Sequence, residues 1–456
     1  MAKEKTAFRC RECGATAPRW EGRCHSCGDW NTLVEEARRP TTRPQHEPAE
    51  RPVLVSEVPL TSGVHRPTHI DELDRVLGGG LVPGSVTLLG GEPGIGKSTL
   101  LLQTLTSLAR TGARCLLVCG EESAAQVRMR AERLNAIVPN LWLVADPEVQ
   151  GVVAHVQELE PDVLAVDSVQ TLSDVDLPAA PGSVTQVTEC TNRLVRLAKE
   201  RAIATVLVGH VTKEGTLAGP RVLEHAVDTV LSFDGDRHHA LRLLRAAKHR
   251  FGATGEIGLF EMGESGLSTV TDPAALLLAD RQRGVPGCVV TPVLEGARAL
   301  LVEIQGLVSA IDADAKVMAV RSTQGLDPKR LSVLLAVLNA RAGVNLYGAH
   351  VYASAVGGVR VNEPAIDLPI ALALVSTHRG RAVPDDLIVC GEVGLAGEVR
   401  QVPQIGRRLQ EAARLGFKRA LVPASTPDTV PGIELLKVRT IGEAIGVTGL
   451  AKAAPK

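Results

Sequence analysis

One decapeptide constrains this chain more than any other feature: Gly90-Gly91-Glu92-Pro93-Gly94-Ile95-Gly96-Lys97-Ser98-Thr99. Gly91 to Ser98 fits the pattern GxxxxGK[ST], between an apolar run, Val86–Gly90, and a helical pattern, Thr99–Ala109. A strand, a glycine-rich loop and a helix in that order turn successive backbone N–H groups toward a polyphosphate, and the helix N-terminus adds its dipole. The loop residues Gly91, Glu92, Pro93, Gly94, Ile95, Gly96, Lys97, Ser98 and Thr99 are therefore predicted to bind ATP. Lys97 is expected to hold the β- and γ-phosphates and the Ser98 hydroxyl to ligate Mg²⁺.

The surrounding texture agrees with a nucleotide-binding α/β domain. Val86–Gly90, Cys115–Cys119, Leu141–Ala145, Val163–Asp167 and Thr205–Gly209 read as buried strands, and Ser183–Arg201 as an amphipathic helix. Alternation of this kind implies a parallel sheet covered on both faces. Asp167 ends its apolar run where a carboxylate reaches Mg²⁺, the alternative being a turn cap. Glu121 and Glu122 follow the Cys115–Cys119 run, where a carboxylate can activate the attacking water. Neighbouring side chains on an extended segment point opposite ways, so one of the two is the base, and Glu121 is the favoured one. His210 is read either as a sensor of the γ-phosphate or as a structural histidine. Leu241–Ala246 and Glu256–Glu261 form a hairpin-like pair, with Lys248 and Arg250 at its mouth.

Before this domain lie Cys10-x2-Cys13 and Cys24-x2-Cys27, separated by ten residues. Two such knuckles fill the tetrahedral shell that Zn²⁺ prefers, leaving no position for water, so a structural zinc site is expected. A redox dithiol pair or a rubredoxin-type iron are the alternatives. Metal ligation must supply most of the stability of so short a module. Arg9, Arg11, Arg19, Arg23 and Trp20 beside it either contact nucleic acid or a partner protein, or form a solvated surface. The other cysteines (Cys115, Cys119, Cys190, Cys288 and Cys390) lie in apolar runs and read as core residues. Glu35 to Pro52 has no large aliphatic residue and recurrent prolines, the composition of an extended tether.

The 456 residues carry 45% hydrophobic and 22% charged side chains, which excludes a disordered or disulfide-stapled class. Fifty basic residues oppose 51 acidic ones, so bulk charge makes no case for nucleic acid, and a DNA partner would need a local basic surface. Aromatics at 2% argue against a broad base-stacking platform. No secretory signal or membrane span is visible, and a reducing cytoplasmic compartment is expected.

In chain order, the four-cysteine ribbon, GGEPGIGKST, Gly120-Glu-Glu-Ser123, Gly209-His-Val-Thr-Lys-Glu-Gly215 and Lys248-His-Arg-Phe-Gly252 closely resemble the bacterial RadA (Sms) family of DNA repair proteins. The resemblance runs over essentially the whole chain. It implies a RecA-like P-loop ATPase core, an N-terminal zinc ribbon and a C-terminal α+β domain like the proteolytic domain of Lon. The domains are expected at 1–35 (ribbon), 36–58 (linker), 59–271 (ATPase) and 272–456 (Lon-like). It also implies a homo-hexameric ring moving on single-stranded DNA, promoting branch migration of recombination intermediates with the RecA recombinase. Lys248 and Arg250 are then trans-acting fingers on a neighbour's γ-phosphate; His249 replaces the family's asparagine between them. In the Lon-like region, Gly357–Pro364 and Gly391–Glu398 carry the likeness. The nucleophile's segment, Pro364-Ala-Ile-Asp-Leu-Pro369, has no serine, and the lysine's place falls near Arg407-Arg408. Arginine cannot act as a neutral base at pH 7, so no peptidase is expected. Arg321, Lys329, Arg330, Arg341, Arg360, Arg400, Arg407 and Arg408 either line a DNA path or are scattered surface charges.

Overall fold

A computed structural model describes residues 6–37, 54, 56, 65–210, 222–235, 241–311, 318–357, 359–427 and 430–451. The chain divides into two units, Met1–Thr269 and Val270–Lys456.

In the first unit, β1 (Thr6–Cys10) pairs antiparallel with β2 (Thr16–Ala17) and β3 (Leu33–Ala37) to form the ribbon. Glu35, Glu36 and Ala37, whose composition suggests the start of a tether, instead extend β3 against β1. Backbone pairing holds them there, and it does not require aliphatic side chains. Residues 38–53 of the proline-rich segment lie outside the described residues.

The α/β core that follows the ribbon shows the expected alternation. It contains α1 (Asp71–Val76), β4 (Val86–Gly91), α2 (Lys97–Arg110), β5 (Cys115–Cys119), α3 (Ala124–Arg133), β6 (Leu141–Val144), α4 (Val149–Leu159), β7 (Val163–Asp167), α5 (Val184–Arg201) and β8 (Ala204–His210). It continues with α6 (Val222–Ala226), β9 (Thr229–Gly235), β10 (Leu241–His249), β11 (Ile257–Gly263) and β12 (Gly266–Thr269). Nine strands form one sheet in the order β12-β11-β10-β9-β4-β8-β7-β5-β6. The strands from β9 to β6 in that order are parallel, whereas β10, β11 and β12 join by antiparallel pairing, as the hairpin-like reading expects. β4, β5, β7 and β8 are buried on both faces, under α2 on one side and α4 and α5 on the other. Residues with no polar alternation in their strands thus find apolar cover on each face.

The second unit holds α7 (Pro273–Leu277), β13 (Cys288–Glu295), β14 (Arg298–Ala310), β15 (Arg321–Gln324), α8 (Pro328–Ala342), β16 (Ala349–Ala355) and α9 (Asp367–Arg379). It ends with β17 (Leu387–Val389), β18 (Glu392–Val393), β19 (Val399–Arg400), α10 (Ile405–Arg414), β20 (Arg419–Pro423), β21 (Glu434–Val438) and α11 (Ile441–Val447). Its main sheet runs β15-β16-β14-β13-β17-β20-β21. Every residue of α9 from Asp367 to Ser376 is buried, as suits a helix with no polar face. The segment Arg407–Pro423 reads from sequence as strand–helix–strand; here a helix beginning at Ile405 leads to a single strand. Cys115, Cys119, Cys190 and Cys390 are buried as expected, and Cys288 is half-buried.

Candidate nucleotide site and metal centre

The phosphate loop leaves β4 at the carboxyl end of the parallel strands, where ligands of open α/β sheets bind. Gly94 and Gly96 have φ of 79° and 116°, a region that residues with a Cβ rarely enter, so the loop's curl depends on them. A Cβ on Gly96 would also lie 2.5 Å from Met262 Cε. α2 then starts at Lys97, whose ammonium is buried and donates to the carbonyls of Gly91 at 2.8 Å and Glu92 at 3.0 Å. Burial pulls its pKa below the ordinary value, and the negative charges of Asp167 and Glu121 oppose that shift.

Asp167 ends β7, buried, and bonds the Ser98 hydroxyl across the intervening strand β8. Burial raises its pKa; the Ser98 hydrogen bond lowers it and the nearby Glu121 charge raises it. Ser98 and Asp167 are thus held together, an oxygen pair suited to a hard cation such as Mg²⁺. Glu121 accepts a hydrogen bond from Ser168 Oγ, immediately after Asp167. Glu122 turns away to Arg130 of α3, 2.5 Å from Oε1 to the guanidinium. The two glutamates therefore diverge as expected, with Glu121 toward Lys97 and Asp167. His210 ends β8, and its side chain lies outside the described residues.

Three contributors escape sequence reading. Ser168 positions Glu121, and Arg130 holds Glu122. Arg242 is buried in β10 and donates from Nε to the Ile95 carbonyl at 3.2 Å, bracing the loop from behind. The only trace of Arg242 in the sequence is a charge interrupting the apolar run Leu241–Leu244.

Lys248 and Arg250 stand elsewhere. His249 is paired with Thr229, Thr229 with Thr87, and Phe233 with Gly91, so the Lys248–Arg250 segment lies at the opposite end of the sheet from its own phosphate loop. Four residues of strand separate the two ends, about 13 Å at the usual rise. Lys248 donates to the carbonyls of Glu224 and Val227, each at 2.7 Å, at the end of α6. Arg250 pairs with Asp228 at 2.8 Å, and the other oxygen of Asp228 accepts from the Val86 N–H at 3.0 Å. His249 Nδ1 meets Thr229 Oγ1 at 3.1 Å; burial keeps its pKa low.

In the ribbon, the sulfurs of Cys10, Cys13, Cys24 and Cys27 all lie within 4.8 Å of one another, with Cys10 to Cys27 at 3.6 Å and Cys13 to Cys24 at 3.5 Å. Four sulfurs about 2.3 Å from a central zinc stand roughly 3.8 Å apart, so the set fits tetrahedral Zn²⁺.

In the second unit, Arg408 does not line a surface. It is 1% exposed, and its guanidinium pairs with both oxygens of Glu363 while donating to the carbonyls of Pro292 and Pro403. It leaves the set of candidate DNA contacts. Arg330 is also engaged, with Asp367 at 2.6 Å.

Residues 56–216 match the family described as "AAA domain", residues 8–35 match "Rubredoxin metal binding domain", and residues 354–426 match "Subunit ChlI of Mg-chelatase". Over 98% of this chain and 99% of theirs, the proteins named DNA repair protein RadA of Bacillus subtilis and Pseudomonas aeruginosa are 44% and 48% identical to it. The chain belongs to the RadA family of DNA repair proteins. A KaiC-like protein from Pyrococcus horikoshii aligns over 45% of this chain and 99% of its own, at 19% identity and a TM-score of 0.39, too loose a likeness to add to the fold argument. As a RadA-family member, the chain is an ATPase-type P-loop protein of RecA-like fold with a four-cysteine zinc ribbon, and its cofactors are ATP, Mg²⁺ and Zn²⁺.

Proposed function

We propose that this chain is a cytoplasmic, DNA-dependent ATPase that assembles into a hexameric ring on single-stranded DNA and drives branch migration of RecA-made recombination intermediates. The observation that carries this reading is the division of the ATPase parts between the two ends of one sheet. Lys97, Ser98, Asp167 and Glu121 gather at one end, and Lys248 and Arg250 lie at the other, unable to reach the same nucleotide. Cations so placed are useful to ATP bound by a neighbouring subunit, where they would stabilise charge on the γ-phosphate and couple its loss to movement.

In the proposed reaction, backbone N–H groups of residues 91–98 hold the phosphates and Lys97 neutralises them. Bound Mg²⁺ would supply charge stabilisation to the triphosphate, and Ser98 and Asp167 are the residues that would hold it. Glu121, steadied by Ser168, takes the proton of the attacking water. Arg250 must leave Asp228 to act in trans; its side chain is 51% exposed, on the solvent side of that pair. The likeness of the second unit to the Lon proteolytic domain brings no peptidase, because no serine stands in 364–369 and Arg408 is tied to Glu363.

ATP hydrolysis measured with and without single-stranded DNA tests the reading, with Lys97→Ala as control. Stimulation by DNA, absent in Lys97→Ala, is expected. Arg250→Ala should keep ATP binding and lose DNA-driven movement. Turnover indifferent to DNA would favour an ATP-gated scaffold that holds recombinase without translocating.

A further inference from the structure

Two of the chain's three tryptophans are exposed side by side on the ribbon, Trp20 at 55% and Trp30 at 70%. Gly22 separates them: a Cβ there would lie 3.6 Å from Trp30 Cζ3 and 3.9 Å from Trp20 Cη2, so both rings border one bare glycine. The Arg23 guanidinium stands 5.9 Å from the centre of the Trp30 ring and is fixed by a 2.6 Å bond from Nε to the Gly28 carbonyl. Arg11 and Arg19 are exposed on the same small module, Arg11 anchored by its N–H to the Thr32 carbonyl. Two carboxylates adjoin the rings in sequence: Glu21, engaged by Arg19 and His25, and the exposed Asp29.

Exposed indoles are costly in water and signal a contact surface. A protein-docking anchor sits in an apolar surround, whereas here the flanking residues are Arg19, Glu21, Arg23, Asp29 and Asn31. Flat aromatic faces flanked by guanidinium groups instead suit an unpaired base with its phosphate, through stacking and charge neutralisation. We propose that the ribbon stacks an unpaired nucleobase of single-stranded DNA on Trp20 and Trp30 while Arg23 meets the adjoining phosphate. This rests on the DNA reading above and locates one of its contacts. Scarcity of aromatics argues against a broad platform, and this one is a single step wide.

The test uses the full chain carrying Trp142→Phe, so that emission reports the ribbon alone. An oligothymidylate and an abasic oligomer of equal length are titrated separately. Quenching by the thymidylate and none by the abasic chain is expected. Trp20→Leu and Trp30→Leu, which keep an apolar side chain without a large stacking face, should each weaken thymidylate binding about tenfold. Zinc content and DNA-independent ATPase should be unchanged in both, and Trp30→Phe should restore part of the binding. Equal affinity for the abasic chain, or normal binding by both leucine variants, overturns the platform, while DNA-stimulated ATPase in those variants would leave the motor reading standing. Quenching by RecA protein but not by thymidylate would make the rings a protein anchor instead and also overturn it. No binding of any oligonucleotide by the parent chain would remove the DNA reading and the platform together.

Discussion

The nucleotide site and the Arg408 cluster of the second unit both bury charge, and they handle it in opposite ways. Lys97 is buried against carbonyl oxygens and, among the described residues, forms no ion pair with a carboxylate of its own chain. Asp167 leans on a hydroxyl. Arg408 closes on Glu363 with two hydrogen bonds and donates two more, from Nε and Nη1, to the carbonyls of Pro403 and Pro292. A buried charge held by neutral groups is available to a ligand of opposite sign, and one that is already paired is part of the scaffold. That contrast separates the end of the molecule suited to chemistry from the place where a peptidase dyad would be sought.

The contrast breaks most easily at Arg408. Arg408→Ala leaves Glu363 without its partner in a largely buried place, and the second unit should lose about 3–5 kcal/mol. Urea unfolding should show this as a lower midpoint for that unit, while ATP still binds. Replacing both partners together, Arg408→Met with Glu363→Leu, should recover most of the loss, because it removes the unpaired charge. A loss below about 1 kcal/mol for Arg408→Ala would mean that the pair is not what holds this region, as for an exposed ion pair.

At the nucleotide site the finer comparison is between adjacent glutamates. Glu121→Gln should lower kcat about 100-fold or more, the usual worth of a general base, with ATP affinity nearly unchanged. Glu122→Gln should cost much less, since its carboxylate is held by Arg130. Single-turnover hydrolysis at saturating ATP distinguishes them; the reverse ranking would transfer the role to Glu122.

What was legible in the sequence were features whose cause is local. The phosphate loop's glycines, the buried strands β4, β5, β7 and β8 and the two cysteine knuckles each carry their reason within a short window and stand where expected. Leu141–Ala145, read as a fifth buried strand, instead forms the edge strand β6 with Trp142 39% exposed, because it has a neighbour on one side only. Glu121 and Glu122 stand in the bend between β5 and α3 and not on the strand itself, so their divergence rests on their separate partners, Ser168 and Arg130. Arg242, Ser168 and Arg130 matter through partners 147, 47 and 8 residues away, and no local pattern announces them. Position along the sheet was hidden for the same reason. That Lys248 and Arg250 lie away from their own phosphate loop follows from the antiparallel return of β10, which depends on register across three strands. Arg408 looked like surface charge because arginine usually is; only the fold brings Glu363 to it.

The smallest expected effect compares two aspartates of the second unit that carry opposite pH signatures. Asp386 is held by Arg419 through two hydrogen bonds at 2.8 and 2.5 Å, and that pairing keeps its pKa below the ordinary value. Asp367 also faces an arginine, but burial outweighs Arg330 and raises its pKa. A depressed carboxylate contributes stability above its unfolded pKa and loses it as pH falls through the folded one; a raised carboxylate has the opposite slope between its two values. Asp386→Asn should therefore destabilise the unit at neutral pH and converge with the parent under acid conditions. The difference should be under about 1 kcal/mol, because both partners are partly exposed and salt screens them. Urea midpoints from neutral pH down through the carboxylate range read it directly. A gap that widens toward acid would mean that the Asp386–Arg419 pair does not favour the charged carboxylate in the folded state.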